Sequence, residues 1–201
     1  SGKNFLILLN AILILSLFNP NKEITFFALL FLSLVSVYIF FFKNRNITNK
    51  IFYIILFLFV LIISIDISNN FGYTWDTKKY YLHKATGFYQ NFFIDDFVKK
   101  SEYPHFGTYI WSFFWKNNLL DYEYTGRLIY GYIYALSIFY FVNSFNVLSH
   151  IKIFISILLI LLTYKTLLFD GRPDILIFSL FLFFSNFFFK IFHKREINFV
   201  N

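Results

Sequence analysis

The chain has 201 residues, of which 58% are apolar, 25% are aromatic and only 14% are charged. A soluble domain is about 45–50% apolar and about 25% charged, so an ordinary soluble enzyme, a nucleic-acid-binding domain and a disordered tail are excluded. The net charge of +7 is spread between apolar runs, which argues against a nucleic-acid partner, and with no cysteine there is no disulfide, thiolate metal site or cysteine nucleophile.

Ser1 opens the sequence and methionine is absent, from which we expect a fragment or a processed chain. Six apolar runs follow: Phe5–Phe18, Ile24–Phe42, Ile51–Ile67, Leu128–Val142 (extending to 127–145), Ile151–Phe169 and Ile175–Phe192. A spanning helix needs about 17–25 mostly apolar residues. The second, third, fifth and sixth runs satisfy this directly. The first reaches it by extension past Asn10 toward Lys3 and Asn19, and the fourth by starting at Arg127. A signal peptide does not fit the first run, because no small-residue cleavage site follows and further spans do. The expected fold is therefore all-α: a polytopic membrane bundle of about six transmembrane helices, with amphipathic helices at the outer face, forming a single domain over 1–201.

Orientation follows from the cations. Lys43, Arg45 and Lys50 crowd the second connection without an acid, and Lys190, Lys194 and Arg195 follow the last run. The positive-inside rule places both in the cytoplasm. That puts the loop 68–126 and Asp170–Asp174 outside, and most of the acids then fall at the outer face. We expect an integral membrane protein of a bacterial inner membrane with its polar face outward.

The long outer loop is too aromatic for disorder and too long for a plain connector. Thr74–Phe93 reads as an amphipathic helix capped by Thr74 and ended near Gly87 or Asn91, with Asp76, Tyr80, His83 and Gly87 on one face. Trp75, Tyr81 and Tyr89 suit the headgroup layer. Pro104 opens a second short helix, His105–Trp115, in the favoured first-turn position. Its apolar face would carry Phe106, Tyr109, Ile110, Phe113 and Phe114, and we expect it to lie along the membrane surface.

Two constellations carry chemistry. Asp76, in Trp75-Asp76-Thr77-Lys78-Lys79-Tyr80, is placed to act as a general base on an acceptor hydroxyl, or simply as a first-turn acid favoured by the helix dipole. Asp170-Gly171-Arg172-Pro173-Asp174 joins two spans. Gly171 and Pro173 suit a tight turn and a helix start, while Arg172 offers a fork suited to phosphate. Lys78, Lys79 and Lys84 fit an anionic headgroup or a pyrophosphate, or line the membrane interface. His83 and His105 with Asp76 are the candidate ligands for a divalent metal, although they form no ligand-spacing motif. No cofactor is firmly implied. Lys165, inside the fifth run, either snorkels or pairs with an outer acid.

The order of these features resembles the N-terminal part of a GT-C type membrane glycosyltransferase, in the group of protein O-mannosyltransferases and the lipid A aminoarabinose transferase. The matching stretches are the loop acid Asp76, then Tyr103-Pro104-His105-Phe106-Gly107-Thr108-Tyr109-Ile110-Trp111, then Tyr122-Glu123-Tyr124-Thr125-Gly126-Arg127-Leu128, then Gly171-Arg172-Pro173-Asp174-Ile175-Leu176. The resemblance covers roughly residues 72–176. It differs from the family in two additional spans before the long loop, in Pro104-His105 where a double proline is common, and in its shorter length.

The resemblance implies a sugar donor linked to polyprenyl phosphate, a lipid, glycan or protein acceptor, and a prenyl chain held in the bilayer. Asp76 and Asp174 become the catalytic acids, Asp76 as base toward the acceptor. Arg172, Asp170, Lys79, His83, Tyr103 and His105 become substrate-binding residues, with Arg172 on the leaving phosphate. A transporter or channel is the rival from another class. It predicts polar residues along the spans and repeat symmetry, whereas polar residues here gather at one face. A non-catalytic membrane subunit is the other alternative, separable by an activity measurement.

Overall fold

The structure is a computed structural model that describes residues 47–69, 72–90, 106–116, 121–164 and 170–199, together with the isolated positions 27, 31, 34 and 38. Among the described residues every regular element is helical. They are α1 (Ile47–Asn69), a π-helical turn (Thr77–Tyr81) running into α2 (Leu82–Tyr89), α3 (Phe106–Lys116), α4 (Glu123–Val142), α5 (Ser149–Tyr164) and α6 (Asp174–Phe199).

Helix α1 has no Gly or Pro to interrupt it, and its stretch Lys50–Asn69, with mean hydropathy 2.7, is long and apolar enough to cross a membrane. The apolar stretches Ser149–Leu162 of α5 and Asp174–Phe189 of α6 are shorter. On α1, Phe52, Leu56, Phe59, Ile63 and Ile67 recur every three or four residues and are buried. This stripe packs on α4, where Phe52 stacks on Phe139 at 4.9 Å between ring centroids and Phe59 meets Tyr134 at 5.9 Å. The opposite face, including Tyr53, Phe57, Leu61 and Ile65, is exposed.

Helix α4 is the centre of the bundle and touches α1, α3, α5 and α6. Tyr130, Ile133, Tyr134, Ala135, Ile138 and Val142 bury nearly all their surface. Gly126 lets α3 approach closely. On α6, Asn186 donates from Nδ2 to the Tyr140 carbonyl at 2.6 Å, a hydrogen bond between two otherwise apolar helices. Phe181, Phe184, Phe187 and Phe188 of α6 and Phe154, Leu158 and Leu161 of α5 face outward. Three helices therefore bury one stripe and expose another that is equally apolar.

Several boundaries differ from the sequence expectation. The first run lies outside the described residues, as does the second except for Phe27, Phe31, Leu34 and Tyr38, which are helical and exposed. The fourth helix starts at Glu123, one turn before Arg127, because Tyr122 is extended and the chain turns helical immediately after it. It stops at Val142, where Asn143 and Ser144 form a turn closed by Ser144 N–H to the Phe141 carbonyl. The amphipathic outer helix, in contrast, ends at Tyr89, between the expected stops at Gly87 and Asn91, with the Gln90 N–H bonded back to Thr86.

Helix α3 departs from the expected surface-lying helix with one apolar face. Every residue from Gly107 to Phe113 is buried, so the helix is covered on all sides, between α2 and α4. Trp111 lies at the crossing with α4, and Gly126 makes that crossing possible. A Cβ built at Gly126 would stand 2.5 Å from the Trp111 carbonyl oxygen and 2.8 Å from its Cδ1. Gly72, in contrast, has open space around the same position. Gly126→Ala is expected to force α3 from α4, at a cost of about 1–3 kcal/mol, and to lower the thermal unfolding midpoint by about 5 °C. Gly72→Ala should leave the midpoint within about 1 °C, by the general tolerance of uncrowded surface sites. Circular dichroism melts of the two variants check this.

Candidate functional site

The polar layer is assembled from the segment before α2, the first turn of α4 and the loop before α6. Asp170 is 5% exposed, and a carboxylate taken out of water must be matched by donors. It has them. The Thr74 hydroxyl donates to Oδ2 at 2.6 Å and the Thr77 hydroxyl to the same oxygen at 3.0 Å. Oδ1 takes Arg172 Nε at 3.2 Å and the Arg172 backbone N–H at 3.4 Å. The short Thr74 contact lies in the charge-assisted range.

Thr77 opens the π-helical turn, and its hydroxyl meets Asp170 from there. One π turn adds a residue to the helical repeat, and such turns recur at functional sites. Thr77, Tyr81, Lys84 with Ala85, and Phe88 then form the buried stripe of this segment. The expected face of Asp76, Tyr80, His83 and Gly87 is accordingly split: Gly87 is buried, His83 is exposed, and Asp76 and Tyr80 are half-buried. Thr74 caps sideways rather than along the axis. Its hydroxyl contacts Asp170 and the Thr77 hydroxyl (3.0 Å), while its carbonyl accepts from the Lys78 N–H.

Asp76 sits between these two threonines in the first helical turn, with no hydrogen bond or ion pair among the described residues. Arg172 bridges Asp170 and, more loosely, Asp174 at 3.8 Å. Its Nη atoms have no partner among the described residues. The sequence match favoured Asp174 over Asp170 as the second-loop acid. In the structure Asp170 is the buried, tightly bonded one, and Asp174, with 63% of its side chain exposed, opens α6.

A second buried cluster backs the first. The Tyr73 hydroxyl donates to Glu123 Oε2, and Arg127 Nη2 donates to the same oxygen at 3.0 Å. Arg127 Nε meets Glu123 Oε1 at 2.8 Å as an ion-pair contact too bent for an aligned hydrogen bond. Burial, then the bond to Glu123, holds the Tyr73 hydroxyl protonated well above the ordinary tyrosine range, and the nearby Arg127 charge offsets only part of this. The Arg127 guanidinium lies 4.7 Å from the Tyr73 ring and 5.9 Å from the Trp111 ring, and Arg127 is 1% exposed. Trp111 then touches the Asp170 loop. Gly171 adopts φ +95°, and a Cβ there would stand 2.1 Å from Trp111 Cζ3. Glycine is required on both counts. Trp111 Nε1 is buried without a hydrogen-bond partner among the described residues.

The other proposed substrate-binding residues are placed unequally. Lys79 is exposed, its ammonium 4.4 Å from the Trp75 ring and 5.2 Å from the Tyr80 ring. Lys78 is exposed beside it, whereas Lys84 is fully buried and so is no headgroup contact. Tyr103, His105 and Lys165 lie outside the described residues. Among the described residues no three His, Asp or Glu side chains cluster so as to hold a metal. Sequence reasoning missed Thr74 and Thr77 as partners of Asp170 and missed the Tyr73–Glu123–Arg127 cluster. The spacing of Glu123 and Arg127, four apart on one helix, was the available signal. No family model, curated protein or solved structure matches the chain.

The tie between the two segments is testable by a double-mutant cycle. Thr77→Val and Asp170→Asn should each destabilise the protein. Combined, they should cost less than the sum by about 0.5–3 kcal/mol, the range for residues sharing a hydrogen-bond network. Denaturant unfolding in detergent measures it, and additivity would show that the contact does not hold the loops.

Proposed function

We propose that the chain is a multi-pass membrane protein of the GT-C glycosyltransferase type, moving a sugar from a polyprenyl-phosphate donor to a lipid, glycan or protein acceptor at the outer face. The observation that carries this reading is the Thr74–Asp170–Thr77 contact. It brings the segment holding Asp76 against the loop holding Arg172 and Asp174, two stretches that the sequence separates by almost a hundred residues. The outward apolar stripes of α1, α5 and α6 support a lipid environment, since a soluble protein rarely exposes apolar patches of this extent.

In this reading Asp76 accepts the proton of the acceptor nucleophile as it attacks the anomeric carbon. The bond from that carbon to the phosphate oxygen breaks, and the lipid phosphate leaves with the bonding pair. Arg172 suits the leaving group because Asp170 fixes its Nε and leaves its Nη atoms unengaged among the described residues. A guanidinium held in place before reaction stabilises developing charge without reorganising. Asp170 is then a positioning residue, and Asp174 shares the arginine.

Asp76→Asn keeps the size of the side chain and removes its ability to take a proton. Transfer from radiolabelled polyprenyl-phosphate sugar, measured in membranes carrying the protein, should fall about 10²–10⁴-fold while donor binding persists. Near-wild-type transfer by Asp76→Asn would overturn the role of this residue, and absence of any transfer by the wild type with a panel of donors would overturn the reaction class.

A further inference from the structure

The chain has three tryptophans, and the structure treats them differently. Trp111 is fully buried, and Trp115 stacks on Tyr89 at 4.4 Å with its Nε1 donating to the Asp121 carbonyl. Trp75 is 65% exposed. One edge of it meets Tyr80 in a T-shaped contact at 5.8 Å, and its face carries the Lys79 ammonium. Neither Lys78 nor Lys79 has a carboxylate partner among the described residues. The amines therefore keep their N–H donors available, and the two rings hold that of Lys79 in place.

In sequence this patch lies just beyond a helix long and apolar enough to cross a membrane. α1, the helix long enough to cross, ends at Asn69, and Trp75 follows six residues later. An indole with a polar edge settles at the water–lipid boundary, and ordered ammonium groups beside it match anionic phosphate.

We propose that Trp75, Lys78 and Lys79 form a docking site for the headgroups of anionic bilayer phospholipids, pinning the start of α2 to the membrane surface. The indole enters the headgroup layer, and the two lysines recruit a phosphate at its rim. The proposal rests on the membrane-spanning part of the reading above and not on glycosyl transfer. Phospholipid would then hold the segment with Asp76 from one side, and Asp170 already holds it from the other through Thr74 and Thr77.

The test uses the full chain in phosphatidylcholine vesicles containing phosphatidylglycerol and no polyprenyl lipid, which separates bulk phospholipid from the proposed donor. Bromine-labelled phosphatidylglycerol should quench the fluorescence component removed by Trp75→Phe more than equally abundant bromine-labelled phosphatidylcholine does. The preference should be about five-fold, the attraction of one lysine for an anionic surface. Lys78→Gln with Lys79→Gln should abolish the preference at unchanged helix content. In the wild type, 1 M salt should abolish it as well, because the screening length is then about 3 Å. Equal quenching by the two lipids at low salt, or a preference that survives both the double substitution and 1 M salt, would overturn the proposal while leaving the transferase reading intact. Failure of the chain to float with the vesicles would overturn both.

Discussion

Everything at the polar end of this bundle depends on the buried carboxylate of Asp170. An isolated charge cannot be taken from water without compensation, so burying it obliges the surrounding chain to supply donors. Two come from Thr74 and Thr77, and the rest from Arg172 in its own loop. The requirement works in both directions: the threonines fix the segment before α2, and the same carboxylate orients the guanidinium. Losing either threonine leaves part of the carboxylate unsatisfied, which costs more than the net worth of the hydrogen bond.

Asp170 is itself placed by shape. Trp111 fits against Gly171 on one side and Gly126 on the other, contacts that leave no room for a Cβ at either position. Its ring also stacks on Tyr73, which donates to Glu123 beside Arg127. α3, α4, the segment before α2 and the loop before α6 thus meet around one indole. A buried arginine paired with glutamate and flanked by two rings is stable because the pair stays together; removing one partner would strand a buried charge. Tyr89 adds a tie at the rim. Its hydroxyl donates to Asp121, which holds that proton more firmly, and Asp121 itself takes the left-handed backbone at φ 58° just before α4.

The helical class and the existence of α1, α4, α5 and α6 were legible in the sequence because long apolar runs leave few alternatives. The ends were less so. Glu123 and Arg127 looked like the polar margin of a span, yet their ion pair lets the helix begin a turn earlier. The second outer helix looked amphipathic because Phe106, Tyr109, Ile110 and Phe113 share a face. Its other face, Gly107, Thr108, Trp111 and Ser112, is buried too. Small and hydroxyl side chains there allow close packing, which hydropathy does not register. The π turn had no signature in Thr77–Tyr81, so the 3.6-residue spacing carried the face of His83 and Gly87 straight back to Asp76 and Tyr80, across a stretch that is not regular α-helix. Arg172 stands between two aspartates in the sequence, but that its Nε would turn back onto a buried Asp170 depended on Thr74 and Thr77, which lie far away in the chain.

The central claim is that the start of α2 and the loop before α6 share one membrane face, opposite the α4–α5 turn. Single-cysteine labelling tests it directly, since the native chain has no cysteine. Gln90, Asp174 and Asn146 are all exposed, which makes them suitable reporters. In sealed vesicles of known orientation, a membrane-impermeant maleimide should modify Gln90→Cys and Asp174→Cys from the same side. It should reach Asn146→Cys only from the other. Modification of Gln90→Cys and Asp174→Cys from opposite sides, or of all three from one side, would contradict the account.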